Sequence, residues 1–551
     1  MAEGSLRLVA FGGLGEFGLN SLALEYSGRL LVIDAGLMVP PAELPGVDMV
    51  VPDFQYLAQR ADCVEGIVLT HGHDDHTGAL SYALAAAPAP VYGGKLTLAL
   101  AQRRLRERAV AADLHPFAPG EVVELGPFRI HPIRVAHSVF DSHCVIVETP
   151  VGNVAVSGDF KLADSGREEE RSDVAALAAW GQRGVLALLS DSTNVEWPGH
   201  TPGEDAVVPA IEDVFTRASG RVFVTCFATA LPRIQRIADI ASAHGRRIAF
   251  VGKRIAENAE AATDLGLLRV PPSQVLAPQS AAALAPGQAA FVLSGSQGEP
   301  LSALSLAAVG EHRDIQVGKG DVVVHSARVI PGNERAVARV FDHLCRRGCE
   351  VVHGGLARVH VSGHGSRGDL TDMIRLLRPR HFVPIHGEYR MLVQHARLAV
   401  EAGVAAEHVH VLDNGHCLRI DAASACRDVS IPAGRTLIDR GGWDEVDELV
   451  VRDRRQISSN GIVVPVVTVA KETGQVSSPP EIVTRGLVDA DVPSALVEDA
   501  SRLVLETLAA RTPEEHRDVG LTRERVRLEL RRYLKKRTQR RPLVVPVIME
   551  V

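Results

Sequence analysis

Short apolar runs separated by turn residues dominate the first 200 or so residues of the chain. "LRLVAF", "LALEY" and "RLLVIDAG" come early, and "HCVIVETPVGNVAVSGDF" holds two apolar runs around a turn at 150–153. Such runs predict strands and hairpins. Several of these strands end on a polar residue, namely Asp34, Thr70, Asp159 and Asp191. Because α/β folds build sites where strands end at one edge of a sheet, we expect a site there.

From about residue 205 to 350 the pattern changes to an alternation of helical and extended segments, as in "DAVVPAIEDVFTRA" followed by "RVFVTCF". This alternation is typical of a separate α/β unit. Further on, "RHFVPIHGEYR" predicts another strand that ends at a site, with His386 at its tip. The simplest interpretation is that the second unit is inserted into the first, whose sheet resumes near residue 350.

These changes divide the chain into a first domain, an insert, the return of the first domain, a linker and a C-terminal domain, with predicted boundaries 1–205, 206–350, 351–425, 426–450 and 451–551. The last domain contains the basic stretch "TRERVRLELRRYLKKRTQRR". That stretch could be a nucleic-acid surface, or it could be the solvated face of an amphipathic helix. In the second case we expect partial burial of Val526, Leu528, Leu530 and Leu534.

Composition narrows the class of protein only modestly. The chain has 551 residues and a formal net charge of −8, which argues against a general nucleic-acid binder but does not exclude local basic patches. Its 7 cysteines form no C-x-x-C pair, which predicts reduced thiols in the cytosol. No signal pattern opens the chain, and no apolar run approaches the roughly 18 residues that span a membrane. We therefore expect a cytoplasmic protein without a membrane segment.

The densest polar cluster is "LTHGHDDHTG", residues 69–78, which follows an apolar run and precedes a small-residue helical stretch. This placement predicts a strand-to-helix loop, where functional groups collect. His71 and His73 can hold one metal ion, Asp75 and His76 can hold a second, and Asp74 has no ligand role. Imidazole and carboxylate ligands suit zinc, manganese or iron. Two ions about 3.5–4 Å apart can share a water and aim hydroxide at phosphorus or carbonyl carbon.

The loop supplies only four ligands, so a dinuclear site needs more from elsewhere. Three candidates stand at predicted strand ends: His137 in "RVAHS", Asp159 in "VSGDF" and His386 in "VPIHGE". Asp159 could bridge both ions, which would leave His137 for the first and His386 for the second. Asp34 could orient a ligating histidine, or it could cap a turn.

One motif points to a different function and is set aside. "GGLGEFG" contains G-x-G-x-x-G at Gly13, Gly15 and Gly18, with Asp34 near the distance expected of a dinucleotide-binding fingerprint. That fingerprint requires a helix, whereas "NSLALEYSGRLLVID" predicts a hairpin. We therefore interpret the glycines as a tight turn near the edge of the active site.

Together these motifs resemble a known family. The HGHDDH cluster, His137, the "GDF" aspartate and the late histidine resemble the metallo-β-lactamase fold. The insert with "SDSTN" (190–194), "HVSGHGS" (360–366) and "PIHGEYR" (384–390) resembles the β-CASP nucleases. "GGLGEFGLN", "GSQGEP", "IPGNE" and the basic tail narrow the resemblance, over nearly the whole chain, to bacterial ribonuclease J. Val361 and Gly365 stand where alanine is commoner in that family.

The resemblance implies a fold and a set of site residues. The fold is α/β, an αββα metallo-β-lactamase sandwich with an inserted α/β β-CASP domain and a small α+β C-terminal domain. The first metal would be held by His71, His73, His137 and Asp159, and the second by Asp75, His76, Asp159 and His386. The catalytic group would comprise Asp75, Asp191, which supports the site, and His364. The last would stabilise the charge on the scissile phosphate or protonate the leaving 3′ oxygen.

The resemblance also implies a substrate, cofactors and partners. We expect two divalent ions per subunit, Zn²⁺ or Mn²⁺, and single-stranded RNA with a 5′ monophosphate, degraded 5′ to 3′ and also cut internally, in RNA decay and in rRNA and mRNA processing. A terminal phosphate would be bound by His360, Ser362, Gly363, His364, Gly365 and Ser366, because hydroxyls and glycine N–H groups suit an anion. The C-terminal domain would form a homodimer or homotetramer, and other RNA-decay proteins are further candidate partners.

Three alternatives stay open at this point. The chain could be a DNA nuclease of the same branch. It could be a small-molecule hydrolase such as a thioesterase or lactonase, although a small substrate would not need the second wall that the insert adds to the cleft. It could also be a non-catalytic RNA-binding subunit, against which the complete ligand set argues.

Overall fold

The computed structural model describes residues 4–41, 44–163, 166–421, 424–439, 446–470, 475–487, 494–511 and 519–551. The chain forms two compact units. The larger unit comprises Met1–Val39 and Val50–Arg435, and the C-terminal unit comprises Pro40–Met49 and Thr436–Val551.

From its first strand to Asp191 the chain alternates hairpins with short helices. The strands are β1 (Leu6–Gly12), β2 (Leu14–Gly15), β3 (Ser21–Tyr26), β4 (Arg29–Ile33), β5 (Val47–Pro52), β6 (Val64–Leu69), β7 (Val91–Gly93), β8 (Leu114–Pro116), β9 (Val123–Leu125), β10 (Phe128–Val135), β11 (Ser142–Thr149), β12 (Gly152–Val156) and β13 (Ala187–Asp191). The helices are α1 (Gln55–Ala58), α2 (Asp74–Thr77), α3 (Leu80–Ala86), α4 (Lys95–Glu107) and α5 (Val174–Arg183).

The rest of the larger unit contains the insert and then the return of the first domain. The insert holds α6 (Val208–Arg217), β14 (Val222–Thr225), α7 (Leu231–Ala243), β15 (Arg247–Val251), α8 (Lys253–Asp264), α9 (Pro278–Ala282), β16 (Ala289–Leu293), α10 (Ala303–Val309), β17 (Val322–His325), α11 (Glu334–Arg346) and β18 (Glu350–His353). The second part of the first domain, which follows the insert, holds α12 (Arg367–Leu377), β19 (His381–Ile385), β20 (Gly387–Glu388), α13 (Tyr389–Glu401), β21 (Cys417–Ile420) and β22 (Ala425–Asp428).

Two sheets form a sandwich with helices outside. Within the described residues their strand orders are β22-β21-β1-β3-β4-β6-β7-β8 and β19-β13-β12-β11-β10-β9. The core between them is built from inward-facing apolar side chains, such as Leu8, Leu31, Val145, Val154 and Leu189. Helices α5 and α12 cover the second sheet, and α1 covers the first through contact between Tyr56 and Phe11. The predicted αββα sandwich is confirmed.

The insert is a layered α/β unit. Its sheet has the order β15-β16-β14-β17-β18 with all neighbours parallel. Because a parallel sheet is covered on both faces, its strands read as near-continuous apolar runs. Val224, Val292 and Val324 face α6, α7 and α8, whereas Phe223, Phe291 and Val323 face α10 and α11. The inserted α/β domain predicted from the alternating pattern is confirmed.

After the insert the chain rejoins the sandwich. Strand β19 pairs in parallel with β13, with Ile385 opposite Asp191. Strand β20 pairs with β2, which places Gly387 opposite Leu14. The glycine-rich loop is followed by the β3–β4 hairpin rather than a helix, so the structure has no helix where a dinucleotide fingerprint would need one. These pairings bring the ends of β13 and β19 beside that loop.

The C-terminal unit has its own small core. Its elements are β23 (Arg435–Asp439), α14 (Glu448–Asn460), β24 (Ile462–Val469), β25 (Glu481–Arg485), α15 (Ser494–Ala509), α16 (Val519–Thr538), β26 (Leu543–Val544) and β27 (Val547–Glu550). Alternate residues of β24 pack against both long helices, and Val526, Leu530 and Leu534 of the basic stretch are buried there while Leu528 is exposed. The predicted small α+β domain is confirmed.

Two further observations concern sequence predictions. The predicted linker 426–450 includes the end of β22, all of β23 and the start of α14, and its residues 440–445 lie outside the described residues. Among the helices that the structure describes, none combines the length and apolar character needed to cross a membrane.

Candidate metal centre

The candidate ligands come together because the strands that precede them end at one edge of the sandwich. His71 follows β6, and Asp75 and His76 lie in the one-turn helix α2 directly after it. His137 follows β10, Asp159 follows β12, and His386 follows β19. The structure thus gathers all seven predicted metal ligands in one place, although 315 positions separate the first from the last along the sequence.

Four of these residues form a first group. Nε2 of His71 and Nε2 of His137 each lie 3.1 Å from Nδ1 of His73. Oδ2 of Asp159 lies 3.4 Å from Nε2 of His71 and 3.6 Å from Nε2 of His137. All four ligand atoms lie within 4.8 Å of one another, a spacing at which they could hold one metal ion.

The second group shares one residue with the first. Nε2 of His386 lies 3.2 Å from Oδ2 of Asp75 and 3.6 Å from Oδ1 of Asp159. Nε2 of His76 lies 3.3 Å from the same Oδ1 atom. Asp159 therefore turns one carboxylate oxygen to each group, which is the geometry of a bridging ligand.

In three of these histidines the other ring nitrogen is held so that Nε2 faces the ligand group, whereas His73 turns Nδ1 to the first group. Nδ1 of His76 lies 2.8 Å from Oδ2 of Asp34, and Nδ1 of His137 donates to the carbonyl oxygen of Gly363 at 2.9 Å. Nδ1 of His386 lies 2.7 Å from Oγ1 of Thr193. A hydrogen bond at Nδ1 fixes the tautomer in which Nε2 carries a free electron pair. The donor set therefore fits divalent ions.

Asp34 lies beneath the second group and plays the orienting part that the sequence left open. Its Oδ1 atom accepts from the backbone N–H of Thr70 at 2.8 Å, and its Oδ2 atom accepts from Oγ1 of Thr70 at 2.9 Å. The same Oδ2 atom faces His76. Asp34 has a positive φ of 61°, so its backbone leaves the strand in the left-handed region. Its carboxylate thus fixes both the start of the histidine loop and the ring of His76.

Burial and nearby charges shift the pKa of the histidines differently in the two groups. Burial lowers the pKa of His71, His73 and His137, that of His73 to about 3, so these rings are neutral and ready to bind a metal. Burial also lowers the pKa of His386, but Asp159 and Asp75 outweigh it and raise the pKa to about 9. An ion bound at the second group would therefore displace protons.

His364 lies beside both groups with an acidic partner. Its Nδ1 atom lies 2.8 Å from Oδ2 of Asp191, and its Nε2 atom lies 3.8 Å from Oδ2 of Asp159. Although burial lowers the pKa of His364, Asp191 and Asp159 raise it above the usual value. The ring is thus placed to carry a proton on Nε2 at the edge of the centre.

The segment 360–366 wraps around this histidine, but its two serines differ. Oγ of Ser362 accepts from Nδ2 of Asn194 at 2.8 Å and from the backbone N–H of His364 at 3.1 Å. Oγ of Ser366 caps α12 and lies 2.8 Å from Oγ1 of Thr201. The hydroxyl of Ser366 is therefore already used by the fold, whereas none of the described residues accepts the proton of the Ser362 hydroxyl.

The other members of the segment have structural contacts. Nδ1 of His360 lies 3.0 Å from Nη1 of Arg233, and burial with the charge of Arg233 lowers the pKa of His360 to about 3. A side chain on Gly363 would meet the ring of His137 at 2.7 Å, and one on Gly365 would meet Asp369 at 2.6 Å. A Cβ at either position would force its neighbour to move, so the two glycines let the segment pack closely against His137 and α12.

Asp74 points away from the centre, as the motif predicted. Its side chain is exposed and forms an ion pair with Arg104 of α4. Only the residues on either side of it face the ligand groups.

Several supporting residues were not predicted. Nδ2 of Asn20 donates to Oδ2 of Asp75 at 3.3 Å. The position of Asn20 at the end of "GGLGEFGLN" was the one feature of the sequence that could have indicated this role.

A buried network of ion pairs was also not predicted. Glu204 accepts from Nε of Arg233 at 2.7 Å and from Nζ of Lys161 at 3.3 Å, and these two cations also donate to the carbonyl oxygens of Val361 and Ser362. The network thus fixes the backbone that leads to His364.

Comparison with protein families agrees with this architecture. "Metallo-beta-lactamase superfamily" matches residues 14–204, "Ribonuclease J, beta-CASP domain" matches 219–344, "Zn-dependent metallo-hydrolase RNA specificity domain" matches 350–412, and "Ribonuclease J C-terminal domain" matches 449–551. A solved structure of a protein of unknown function from Enterococcus faecalis V583 has the same fold, with a TM-score of 0.53 and 15% identity over 76% of this chain and all of that one.

These matches place the chain among the hydrolases of the metallo-β-lactamase superfamily that carry a β-CASP domain. Ribonuclease J2 of Bacillus subtilis is 36% identical over 99% of both chains, and ribonuclease J of Mycobacterium tuberculosis is 37% identical over 100% of this chain and 98% of that one. The chain belongs to the ribonuclease J family. It is accordingly a metal-dependent ribonuclease, an enzyme that hydrolyses phosphodiester bonds.

Proposed function

We propose that this ribonuclease uses two divalent ions, Zn²⁺ or Mn²⁺, to degrade single-stranded RNA from the 5′ end, with preference for a 5′ monophosphate, and that it also cuts RNA internally. Its role would be in RNA decay and in rRNA and mRNA processing. The observation that carries the two-metal part is the carboxylate of Asp159, which turns Oδ2 to one histidine group and Oδ1 to the other.

We assign the first ion to His71, His73, His137 and Asp159, and the second to Asp75, His76, Asp159 and His386. Two bound ions would supply a hydroxide nucleophile and neutralise charge on the phosphoryl oxygens. The chain's own contribution is to hold the ligands rigidly. Asp34, Thr193 and the carbonyl of Gly363 fix the histidine rings, and Asn20 fixes Asp75.

We assign the leaving-group step to His364. Asp191 holds Nδ1, so Nε2 faces the space beside Asp159. Because the two carboxylates raise the pKa of His364, its ring can carry a proton at neutral pH and donate it to the leaving 3′ oxygen. The same positive charge would also stabilise negative charge on the scissile phosphate.

We assign the terminal phosphate to the segment 360–366. Ser362 is the better hydroxyl donor there, because Ser366 is the N-cap of α12. Gly363 and Gly365 let this segment pack closely against His137 and Asp369, and His360 and His364 lie on either side of Ser362 in it. A phosphate bound here would lie next to the metal centre and would position the first linkage for cleavage.

We further propose a homodimer or homotetramer that forms through the C-terminal unit in the cytoplasm, where other RNA-decay proteins are candidate partners. Exposed apolar side chains on this unit support self-association, among them Leu449, Val450, Leu521, Met549 and Val551. Such side chains on one small domain favour a protein interface.

The decisive experiment compares end-labelled RNA and DNA of one sequence with the metal-loaded protein and with His73→Ala. RNA is supplied with a 5′ monophosphate, a 5′ triphosphate or a 5′ hydroxyl. We expect rapid release of 5′ nucleotides from monophosphorylated RNA only, and loss of activity in the variant. Equal rates on the three RNA ends would contradict the end preference, and equal rates on DNA would contradict RNA specificity. The matched control is Asp74→Asn, which changes an exposed residue of the same loop.

A further inference from the structure

Among the described residues few aromatic rings are exposed, and those that are belong to segments that adjoin the candidate metal centre. Phe, Tyr and Trp make up 4% of the sequence. Among the described residues only three of them are exposed: Phe17 at 37%, Trp197 at 54% and Tyr389 at 50%. We call these three residues the aromatic rim. Burial of a large ring is favourable, so three exposed rings in one region indicate a ligand with flat apolar faces.

Two members of the aromatic rim lie next to the second ligand group. The ring centre of Phe17 is 6.3 Å from that of His386 in an edge-on arrangement. Tyr389 follows His386 by three residues and begins α13. The pairing of Gly15 with Glu388 brings the loop that carries Phe17 beside the start of this helix.

Trp197 is connected to His364 through one side chain. The backbone N–H of Trp197 donates to the carbonyl oxygen of Asn194 at 3.0 Å. Nδ2 of Asn194 in turn donates to the carbonyl oxygen of His364 at 3.0 Å and to Oγ of Ser362 at 2.8 Å. The turn that presents the indole is thus fixed to the segment that presents the proposed proton donor.

A second tie connects Trp197 to the rest of the aromatic rim. Glu196, its neighbour in sequence, accepts from Nη1 of Arg390 at 2.5 Å, and Arg390 is the neighbour of Tyr389. The segments that carry the three rings are therefore tied to one another beside the candidate metal centre.

Arg328, which has no carboxylate partner among the described residues, lies beside Trp197. The guanidinium carbon of Arg328 lies 5.3 Å from the ring centre of Trp197, and Nη1 donates to Oδ1 of Asn194 at 3.0 Å. In the part of the chain that the structure describes, no carboxylate pairs with Arg328, whereas Arg367 pairs with Glu401 at 2.7 Å. The positive charge of Arg328 is thus available to an anion beside the exposed indole.

We propose that an unpaired base of the RNA, close to the scissile phosphate, stacks on Trp197, and that Arg328 contacts a neighbouring phosphate. Tyr389 and Phe17 continue the stacking surface toward His386. This inference rests on the proposed ribonuclease function. Stacking on an aromatic ring tolerates every base, which suits an enzyme that advances along RNA of any sequence. It also selects single strands, because bases in a duplex are already stacked on one another.

The test is a scan with RNA oligonucleotides that carry a 5′ monophosphate and lack the base at one position at a time. Initial rates are measured for the metal-loaded wild type, Trp197→Ala and Trp197→Phe. For the wild type we expect one missing base near the cleaved bond to raise KM about 5- to 100-fold. Trp197→Ala should raise KM for intact RNA by a similar factor and lose sensitivity to that missing base, whereas Trp197→Phe should retain most of both. Val122→Ala, which changes another exposed apolar residue (45%), is the matched control.

Each outcome decides the inference. A wild type that is insensitive to a missing base at every position, or a Trp197→Ala variant with the wild-type KM, would show that no base stacks there. The ribonuclease function itself fails only if the wild type cleaves no RNA. If Trp197→Ala loses the wild-type circular dichroism spectrum, the decision rests on Trp197→Phe and on the wild-type scan instead.

Arg328→Gln tests the phosphate contact. We expect this variant to bind intact and base-deleted RNA more weakly alike, with a salt-dependence slope lower by about one. An unchanged slope would overturn the phosphate contact.

Discussion

Nδ1 of His364 lies 2.8 Å from Oδ2 of Asp191, although 173 positions separate the two residues along the chain. This contact leaves Nε2 of the histidine directed at the metal centre without making the residue part of either complete ligand group. We therefore expect His364→Ala to keep its bound metal while kcat falls by about 10²–10⁴, the usual contribution of a general acid. Metal content by mass spectrometry and steady-state kinetics check this. Loss of metal together with activity would instead make His364 a ligand.

Adjacent aspartates in one loop should behave in opposite ways. Asp75 faces the second ligand group, whereas Asp74 is exposed and paired with Arg104. We expect Asp75→Asn to reduce metal binding at the second group and to lower kcat by at least about 100-fold. Asp74→Asn should keep the wild-type metal content and rate. Equal losses in the two variants would contradict the assignment.

Metal binding should stabilise the larger unit. Ions that bind only the folded chain stabilise it by about 2.7 kcal/mol per site when their concentration is 100 times Kd. We expect chelation to lower the unfolding temperature and Zn²⁺ or Mn²⁺ to restore it. Asp159→Ala should abolish the response, because this residue serves both groups. A metal-dependent shift of the wild-type size in Asp159→Ala would show that the ions bind elsewhere.

The buried network around Glu204 should control acid stability. Burial raises the pKa of this carboxyl, but Arg233 and Lys161 outweigh burial and lower it from 4.5 to about 2. A carboxyl with a lowered folded pKa stabilises the protein above its unfolded pKa and loses this contribution as pH falls through the folded value. We expect Glu204→Gln to cost about 3–5 kcal/mol near pH 7, because two buried cations lose their partner. The cost should shrink between about pH 4.5 and pH 2 in urea titrations.

An exposed ion pair provides the matched control for that experiment. Arg217 and Glu350 lie 2.6 Å apart at the surface of the insert. Exposed pairs contribute about 0–1 kcal/mol, so Glu350→Gln should hardly move the urea midpoint. If the two glutamine variants were equally stable, the buried network would not have the structural role described above.

A histidine away from the metal centre should also make stability pH dependent. His381 begins β19, and its Nδ1 atom lies 3.2 Å from Nε2 of His410. Burial, with the charges of His410 and His408, lowers the pKa of His381 from 6.5 to about 4. The unfolded chain takes up this proton first, so stability should fall as pH decreases from about 6.5 to 4. His381→Gln should flatten that slope in urea titrations at pH 7, 6 and 5, and an unchanged slope would contradict the assignment.

The meeting of the candidate ligand residues at one place could be predicted because their signals are local. The histidine loop has a characteristic spacing, and Asp159 and His386 each follow an apolar strand. The sequence alone therefore predicts which side chains could bind a metal and the sheet edge at which they meet. The capping role of Ser366 could not be predicted, because it depends on Thr201 and the start of α12. Lys161, Glu204 and Arg233 were missed for the same reason. Their pairing follows from packing between distant segments and has no characteristic spacing.

The pairing of β13 with β19 has a consequence for how the enzyme is made. His386 and Asp75 share the second ligand group although 311 positions separate them along the chain. During synthesis the N-terminal strands leave the ribosome first, and the whole insert must follow before His386 can reach its place. A nascent chain therefore has every ligand of the first group long before it can complete the second. With the two ions assigned as proposed, complete metal binding, and with it ribonuclease activity, arrives only after most of the protein has been translated.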